Sequence, residues 1–340
     1  MTKEFFSVHK YVVQNNRIGF YSWAIENGYA HIYDQVSKEW VDLDNYNNDR
    51  VPLEIVSQEY NQIAGLIHEP NLGLKVVQNY NLQRSPFYYV MKFSLEPILS
   101  RNIELPEILV LRMASHYYGM MTEVVAMHCE EYNHNIVVDF KPSLPELVSK
   151  HQIEGMMFAF SRLVHHFIEK RPVGVQFTHQ QEVINDELYH QTFYCQPTFS
   201  HDMNKLIYQT SVITHESDYP LLINPIIHAI KMQFPQILFN EMVRITLQVT
   251  LGFVSPTREN IARTLSMSIR TMQRRLKEEG MNFNDILLEV RKNRINHYLN
   301  ASQLTLDKIS LLMGYKATSQ FHKAFRSWFG LTPKEYRAKI

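Results

Sequence analysis

Between residues 256 and 337 the chain repeats itself at an interval of about fifty residues, which limits its C-terminal third to a tandem of small helical units. Ala262 pairs with Ser310, Leu265 with Met313 and Ser266 with Gly314, each 48 residues apart. Leu276 then pairs with Phe325 at 49 and Gly280 with Gly330 at 50. Caps and breakers mark the helix ends in the first copy. Leu238, Met242, Ile245 and Val249 set a helical period over residues 237–251, which Gly252 stops. Ser255 reads as the cap of a helix over 256–265, with Pro256 in its first turn and Ile261, Ala262 and Leu265 inward. After a break at Ser266-Met267, Ser268 caps a helix over 269–279 that turns Ile269, Met272 and Leu276 inward and ends at Gly280.

Two short helices with a tight break have the form of a helix-turn-helix. Arg270, Gln273, Arg274 and Lys277 fall three and four residues apart on the outer face of the second helix, with Arg275 beside them. A stripe of long cations and an amide suits guanine, adenine and phosphate oxygens. The second copy reads alike. Asn282 and Asp285 begin a long helix to about residue 299, and Thr305 opens the next unit. Its outer helix, over 318–328, turns Phe321 and Phe325 inward and leaves Ser319, Gln320, His322, Lys323 and Arg326 outside. Thr332-Pro333-Lys334-Glu335 is a capping box with proline at the first helical position. A connector of about 17 residues is roughly 26 Å long, enough to hold two reading helices near one DNA turn, about 34 Å, apart.

Charge divides the same way. From residue 231 onward there are 18 Lys and Arg against 8 Asp and Glu, which leaves 16 against 26 for residues 1–230 of a chain neutral overall. A basic third on an acidic body indicates a polyanion-binding module joined to something else.

Residues 256–337 resemble the DNA-binding domain of the AraC family of bacterial transcription regulators. The likeness is carried by the run from Ser268 to Gly280, then Phe283 and Arg291, and in the second copy by Ile309, Gly314-Tyr315, Ser319, Phe321, Ala324-Phe325, Trp328-Phe329-Gly330 and Pro333 to Arg337. The resemblance implies that Arg270, Gln273 and Arg274 face bases from the first helix, and Ser319, Gln320 and Lys323 from the second. Ser268, Arg275, Lys277, Lys316, His322 and Arg326 then make up the phosphate-contacting set. There are departures: Ser266 stands where the family often has glycine, Ser310 where it favours alanine, His322-Lys323 replaces a common Ser-Arg pair, and Lys316-Ala317 replaces a polar or acidic turn. Lysine lacks the bidentate fork of arginine, so the second helix is expected to read sequence less sharply than the first.

The first 230 residues mix strand-like stretches at 135–140, 173–178 and 206–213 with helical patterns at 144–170 and 56–67, which indicates an α+β domain. Residues 172–179 and 196–208 resemble the N-terminal effector domain of the AraC subgroup that includes ornithine-utilisation regulators. The expected architecture is an α+β effector or dimerisation domain over 1–230 followed by an all-α double helix-turn-helix domain over 231–340. No catalytic constellation is present: His165-His166 and His128-Cys129 are adjacent pairs that diverge on an element, and HxxxH, HExxH, GxGxxG and GxSxG do not occur. No cofactor or metal is expected. The two cysteines, Cys129 and Cys195, the absence of a basic-then-apolar leader, and the charges Arg112, His116 and Glu123 within the apolar stretch 108–128 indicate a cytoplasmic protein that spans no membrane. The clusters Phe87-Tyr88-Tyr89, Tyr117-Tyr118 and Met156-Met157-Phe158 suit either core packing or the wall of a ligand pocket. Two readings stay open. In one, the N-terminal domain senses a small molecule or dimerises, with promoter DNA, RNA polymerase, an effector and a second copy as partners. In the other, DNA binding is constitutive and this domain makes protein contacts only.

Overall fold

A computed structural model of the chain describes residues 6–101, 105–132, 134–181, 186–210, 223–224, 227–228, 231, 235–252, 254–301 and 305–339. It divides into two compact units, Met1–Phe87 with Val110–Ile213 and Tyr88–Leu109 with Thr214–Ile340. A segment of the N-terminal half thus belongs to the C-terminal unit, and the chain does not divide at a single point.

The first unit is α+β. A short antiparallel pair joins β1 (Ser7–His9) to β2 (Arg50–Pro52). A four-stranded antiparallel sheet has the order β3 (Val125–Tyr132), β4 (Asn135–Pro142), β6 (Asn204–Gln209), β5 (Gly174–Gln176). Ile136, Val138 and Phe140 alternate along β4 and are fully buried, as the period of a half-covered strand requires. Helix α7 (Lys150–Ile168) meets this sheet, and the rings of Phe140 and Phe160 lie edge to face at 5.5 Å. A Ser149–Gln152 capping box starts α7. Helices α1 (Lys10–Glu26), α2 (Ala30–Val36), α3 (Leu53–Ile67) and α4 (Leu72–Gln78) build a second cluster from Phe20, Trp23, Tyr60, Ile63, Leu72 and Val76. Helix α4 approaches α7 so closely that a Cβ on Gly73 would lie 1.8 Å from the His151 carbonyl oxygen, so only glycine fits there.

Three sequence expectations correspond to β4, β5 and β6; residues 211–213 of the last lie outside the described residues. The pattern at 56–67 corresponds to α3, and 144–170 shortens to α7 because residues 144–149 form a turn and cap. Strand β3 escaped the pattern because it is an edge strand carrying His128, Glu130 and Glu131, and edge strands carry charge.

The second unit is helical. It contains most of α5 (Pro86–Leu99), the start of α6 (Glu107–Met121), which continues into the first unit, and seven helices that follow the repeat. A further short helix, α8 (Asp186–Phe193), lies in the first unit. The seven are α9 (Phe239–Thr250), α10 (Arg258–Thr264), α11 (Ile269–Glu278), α12 (Phe283–Ala301), α13 (Leu306–Leu312), α14 (Thr318–Phe329) and α15 (Pro333–Arg337). Two local expectations need correcting. The cap of α10 is Thr257, whose Oγ1 accepts from the Asn260 N–H at 3.2 Å; Ser255 lies upstream and its carbonyl accepts from the Asn260 side chain. Leu238 precedes α9 and is 60% exposed, while Met242, Ile245 and Val249 are buried as the period requires.

The repeat is visible in the backbone. Gly280 and Gly330 both end their helices at φ near +70°, with values of 70° and 72°. Ser266 has φ 53° where its counterpart Gly314 has 73°, so a serine occupies a left-handed position that glycine fills in the second copy. A Cβ on Gly314 would also lie 2.8 Å from Pro256 Cγ. Opposite outcomes are expected. Ser266→Gly should stabilise the protein by about 0.5–1 kcal/mol, since relief of left-handed strain outweighs the added freedom of the unfolded chain. Gly314→Ala should destabilise it by about 2–3 kcal/mol. Urea denaturation of the full chain checks both signs.

Candidate nucleic-acid interface

Helix α11 separates its faces cleanly. Met272 and Leu276 are 0% and 1% exposed, while Arg270, Gln273, Arg274 and Lys277 are all solvent-exposed. Ser268 caps the helix, accepting from the Thr271 N–H at 3.1 Å, and remains exposed. Arg274 pairs with Glu278 one turn on at 2.5 Å. Both are more than half exposed, so the pair is worth only a few tenths of a kcal/mol and opens readily to a better acceptor. Arg275 is placed differently. It is half-buried, with its guanidinium 4.0 Å from the ring centre of Phe239 in α9, and does not share the exposed stripe.

Helix α14 repeats the arrangement. Phe321 and Phe325 are fully buried, and Ser319, Gln320, His322, Lys323 and Arg326 are exposed, as is Lys316 in the preceding turn. Its N-cap residue, Ala317, has no side chain to offer. Thr318 instead donates to Asp307 Oδ1 in α13 at 2.6 Å, which fixes the start of α14. The two helices with exposed polar stripes are therefore held by different means.

What joins them is α12. Its 19 residues span about 28 Å. Arg294, only 5% exposed, donates to the carbonyls of Leu251 at 3.0 Å and Gln248 at 2.5 Å, at the C-terminal end of α9, and to Phe93 in α5 at 3.0 Å. One turn earlier Arg291 donates to the carbonyl of Met313, the C-cap of α13, at 2.9 Å and covers the ring of Tyr315 at 4.3 Å. Helix ends leave carbonyls without partners, and these two arginines supply donors. The outward stripes were legible from helical spacing. The inward pair was not, because arginine on a long helix ordinarily counts as solvated; their spacing of three was the available signal.

Among the described residues no group of three or more His, Cys, Asp or Glu could hold a metal ion, and no helix is long and apolar enough to cross a membrane.

The model of the helix-turn-helix domain family matches residues 261–339. The chain is 41% identical over 80 residues to the HTH-type transcriptional regulator VirS of Mycobacterium tuberculosis, covering 24% of each chain. It is 40% identical over 82 residues to the ornithine utilization regulator of Pseudomonas aeruginosa, again covering 24% of each. The C-terminal domain is an AraC-type helix-turn-helix domain. The matched segment spans about a quarter of the length of these curated relatives. A crystal structure of the transcriptional regulator CdpR from Pseudomonas aeruginosa aligns over 83% of this chain and 90% of that one, at 16% identity and a TM-score of 0.33, too loose to bear on the fold.

Two outcomes follow for the AraC-type domain. Arg294→Ala removes three charge-assisted bonds from a buried place and should cost about 3 kcal/mol, with Arg294→Lys recovering only part because an ammonium cannot fork. Glu279 has its own pH signature. Burial opposes its ionisation, but the N–H groups of Asn240 and Phe239, the Asn240 side chain and Arg275 outweigh burial and hold its carboxyl below the ordinary 4.5. A depressed folded value means its contribution is full at neutral pH and fades as pH falls below about 4.5 through the folded value. Thermal melts at stepped pH should show wild type and Glu279→Gln converging in acid.

Proposed function

We propose that the chain is a sequence-specific transcription regulator that reads two adjacent major-groove segments of promoter DNA with α11 and α14. The observation that carries this is the pair of exposed polar stripes on α11 and α14, helices that precede and follow α12 in the chain, whose length of about 28 Å approaches a DNA turn. Arg270, Gln273 and Arg274 read bases in the first segment, and Ser319, Gln320 and Lys323 in the second. Ser268, Lys277, Lys316, His322 and Arg326 hold phosphates and set the register. Arg275 belongs to this phosphate set only where DNA draws it off Phe239. Arg274→Ala is expected to weaken operator binding by about 1–3 kcal/mol and relax discrimination at one base position. Equal losses on specific and random DNA in a titration would remove Arg274 from the base-reading set.

In this reading the first unit governs DNA binding through a small-molecule effector or through dimerisation. The effector is supported by a cavity of about 40 Å³ walled by Tyr60, Tyr80, Tyr118, Asn16, Gln152 and Met156 among others, with no Lys, Arg, Asp, Glu or His in its lining. As it stands it admits about three water-sized groups, so an effector must be compact and uncharged or must widen the space. The alternative, constitutive DNA binding with protein contacts through this unit, is supported by Ile18, Tyr21 and Ile25, which are 51%, 45% and 51% exposed at helical spacing on α1. Native mass spectrometry of the chain purified from its own host separates these readings. A retained molecule or a doubled mass supports control by effector or by dimerisation. A bare monomer that binds promoter DNA fully supports the constitutive reading.

A further inference from the structure

We infer that Glu279 is a positioning residue for base reading: its carboxylate fixes the rotation of α11 by bolting it to the N-terminus of α9. Glu279 is the C-cap residue of α11. Its Oε1 accepts from the Phe239 N–H at 2.7 Å, and its Oε2 accepts from the Asn240 N–H at 2.7 Å and the Asn240 side-chain amide at 2.8 Å. These N–H groups open α9, where no partner exists within the helix, and the N-cap residue Leu238 has no side chain able to bond them. An anion from another helix supplies what the local sequence lacks, at the end where the helix dipole favours negative charge. One turn back along α11, Arg275 covers the Phe239 ring. Two anchors one turn apart resist both sliding and rotation of α11.

Rotation is what matters for reading. Turning a helix by about 20° carries a side-chain tip roughly 2 Å around its circumference. A recognition constellation tolerates displacements of only about 0.5 Å. The bolt is specific to the first copy: the residue matching Glu279 at the fifty-residue offset is Phe329, which packs on Phe325 at 4.5 Å and Tyr336 at 5.0 Å. Loss of the carboxylate therefore disturbs reading by α11 and leaves α14 as it was.

The inference rests on α11 reading bases, and the test separates the two. A randomised duplex library is captured on the full chain and sequenced before and after, for wild type, Arg270→Ala, Gln273→Ala, Arg274→Ala, Glu279→Gln and Arg275→Leu. The Arg270→Ala, Gln273→Ala and Arg274→Ala profiles mark which segment α11 reads. Glu279→Gln is expected to weaken the preferred sequence about tenfold, with information lost only in that marked segment and the salt slope unchanged. Arg275→Leu is expected to show the same confined loss. A salt slope lowered by about one on Arg275→Leu would make Arg275 a phosphate contact and remove the second anchor. Loss spread evenly over both segments in Glu279→Gln, or no loss, overturns the inference even with the Arg274→Ala effect intact. If Arg270→Ala, Gln273→Ala and Arg274→Ala all leave the profile unchanged, base reading by α11 fails first and the inference with it. Far-ultraviolet melts of each variant verify that the folded chain is the species captured.

Discussion

The C-terminal unit depends on two arginines on one helix finding carbonyls at the ends of others. Arg294 takes up the end of α9, and Arg291, a turn away, takes up the end of α13. Arg294 is buried and Arg291 half-buried, which costs hydration, and charge-assisted bonds to carbonyls at the helix ends offset that cost. One rigid helix thereby fixes the supports of both α11 and α14. Without it the repeat would be two small bundles on a flexible joint, each with too little core to stand alone.

The two copies share a layout and differ in how they are held. In the first, polar and charged groups do the holding: Ser268 caps α11, Glu279 caps α9 from outside, and Arg275 lies on Phe239. In the second, the Thr318–Asp307 bond fixes the start of α14 and aromatic packing of Phe321, Phe325, Phe329 and Tyr336 holds the rest, with the Thr332–Glu335 capping box closing the chain. Polar bonds are directional and fix rotation, whereas ring packing tolerates adjustment. That difference parallels the proposed base-reading residues, two arginines and a glutamine on α11 against a lysine, a serine and a glutamine on α14.

In the N-terminal unit the sheet follows from alternation where strands are half-covered, as in β4, and is obscured at the charged edge strand β3. Its helices were harder to see, because α4 and α6 pack on more than one side and α1 carries Ile18, Tyr21 and Ile25 on its exposed face, so a single apolar period is lost. Helix α5, most of which belongs to the second unit, was obscured for another reason. It lies early in the chain, yet the Phe93 carbonyl accepts from Arg294 and its ring meets Tyr298, a pairing across about two hundred residues.

What the sequence determined by itself is local: helix ends, set by caps and glycines; inward faces, set by period; and the outward stripes of α11 and α14, which are what those faces leave over. Even the left-handed turn at Ser266 was marked by its match to Gly314. Tertiary structure decided what each polar group answers to. Arg275, Arg291, Arg294 and Glu279 look like ordinary surface charges in the sequence. Each finds a partner on another helix, and sequence periodicity carries no information about which helix that is. A cation's spacing shows where it points on its own helix, but only packing shows whether a carbonyl, a ring or open solvent lies in front of it.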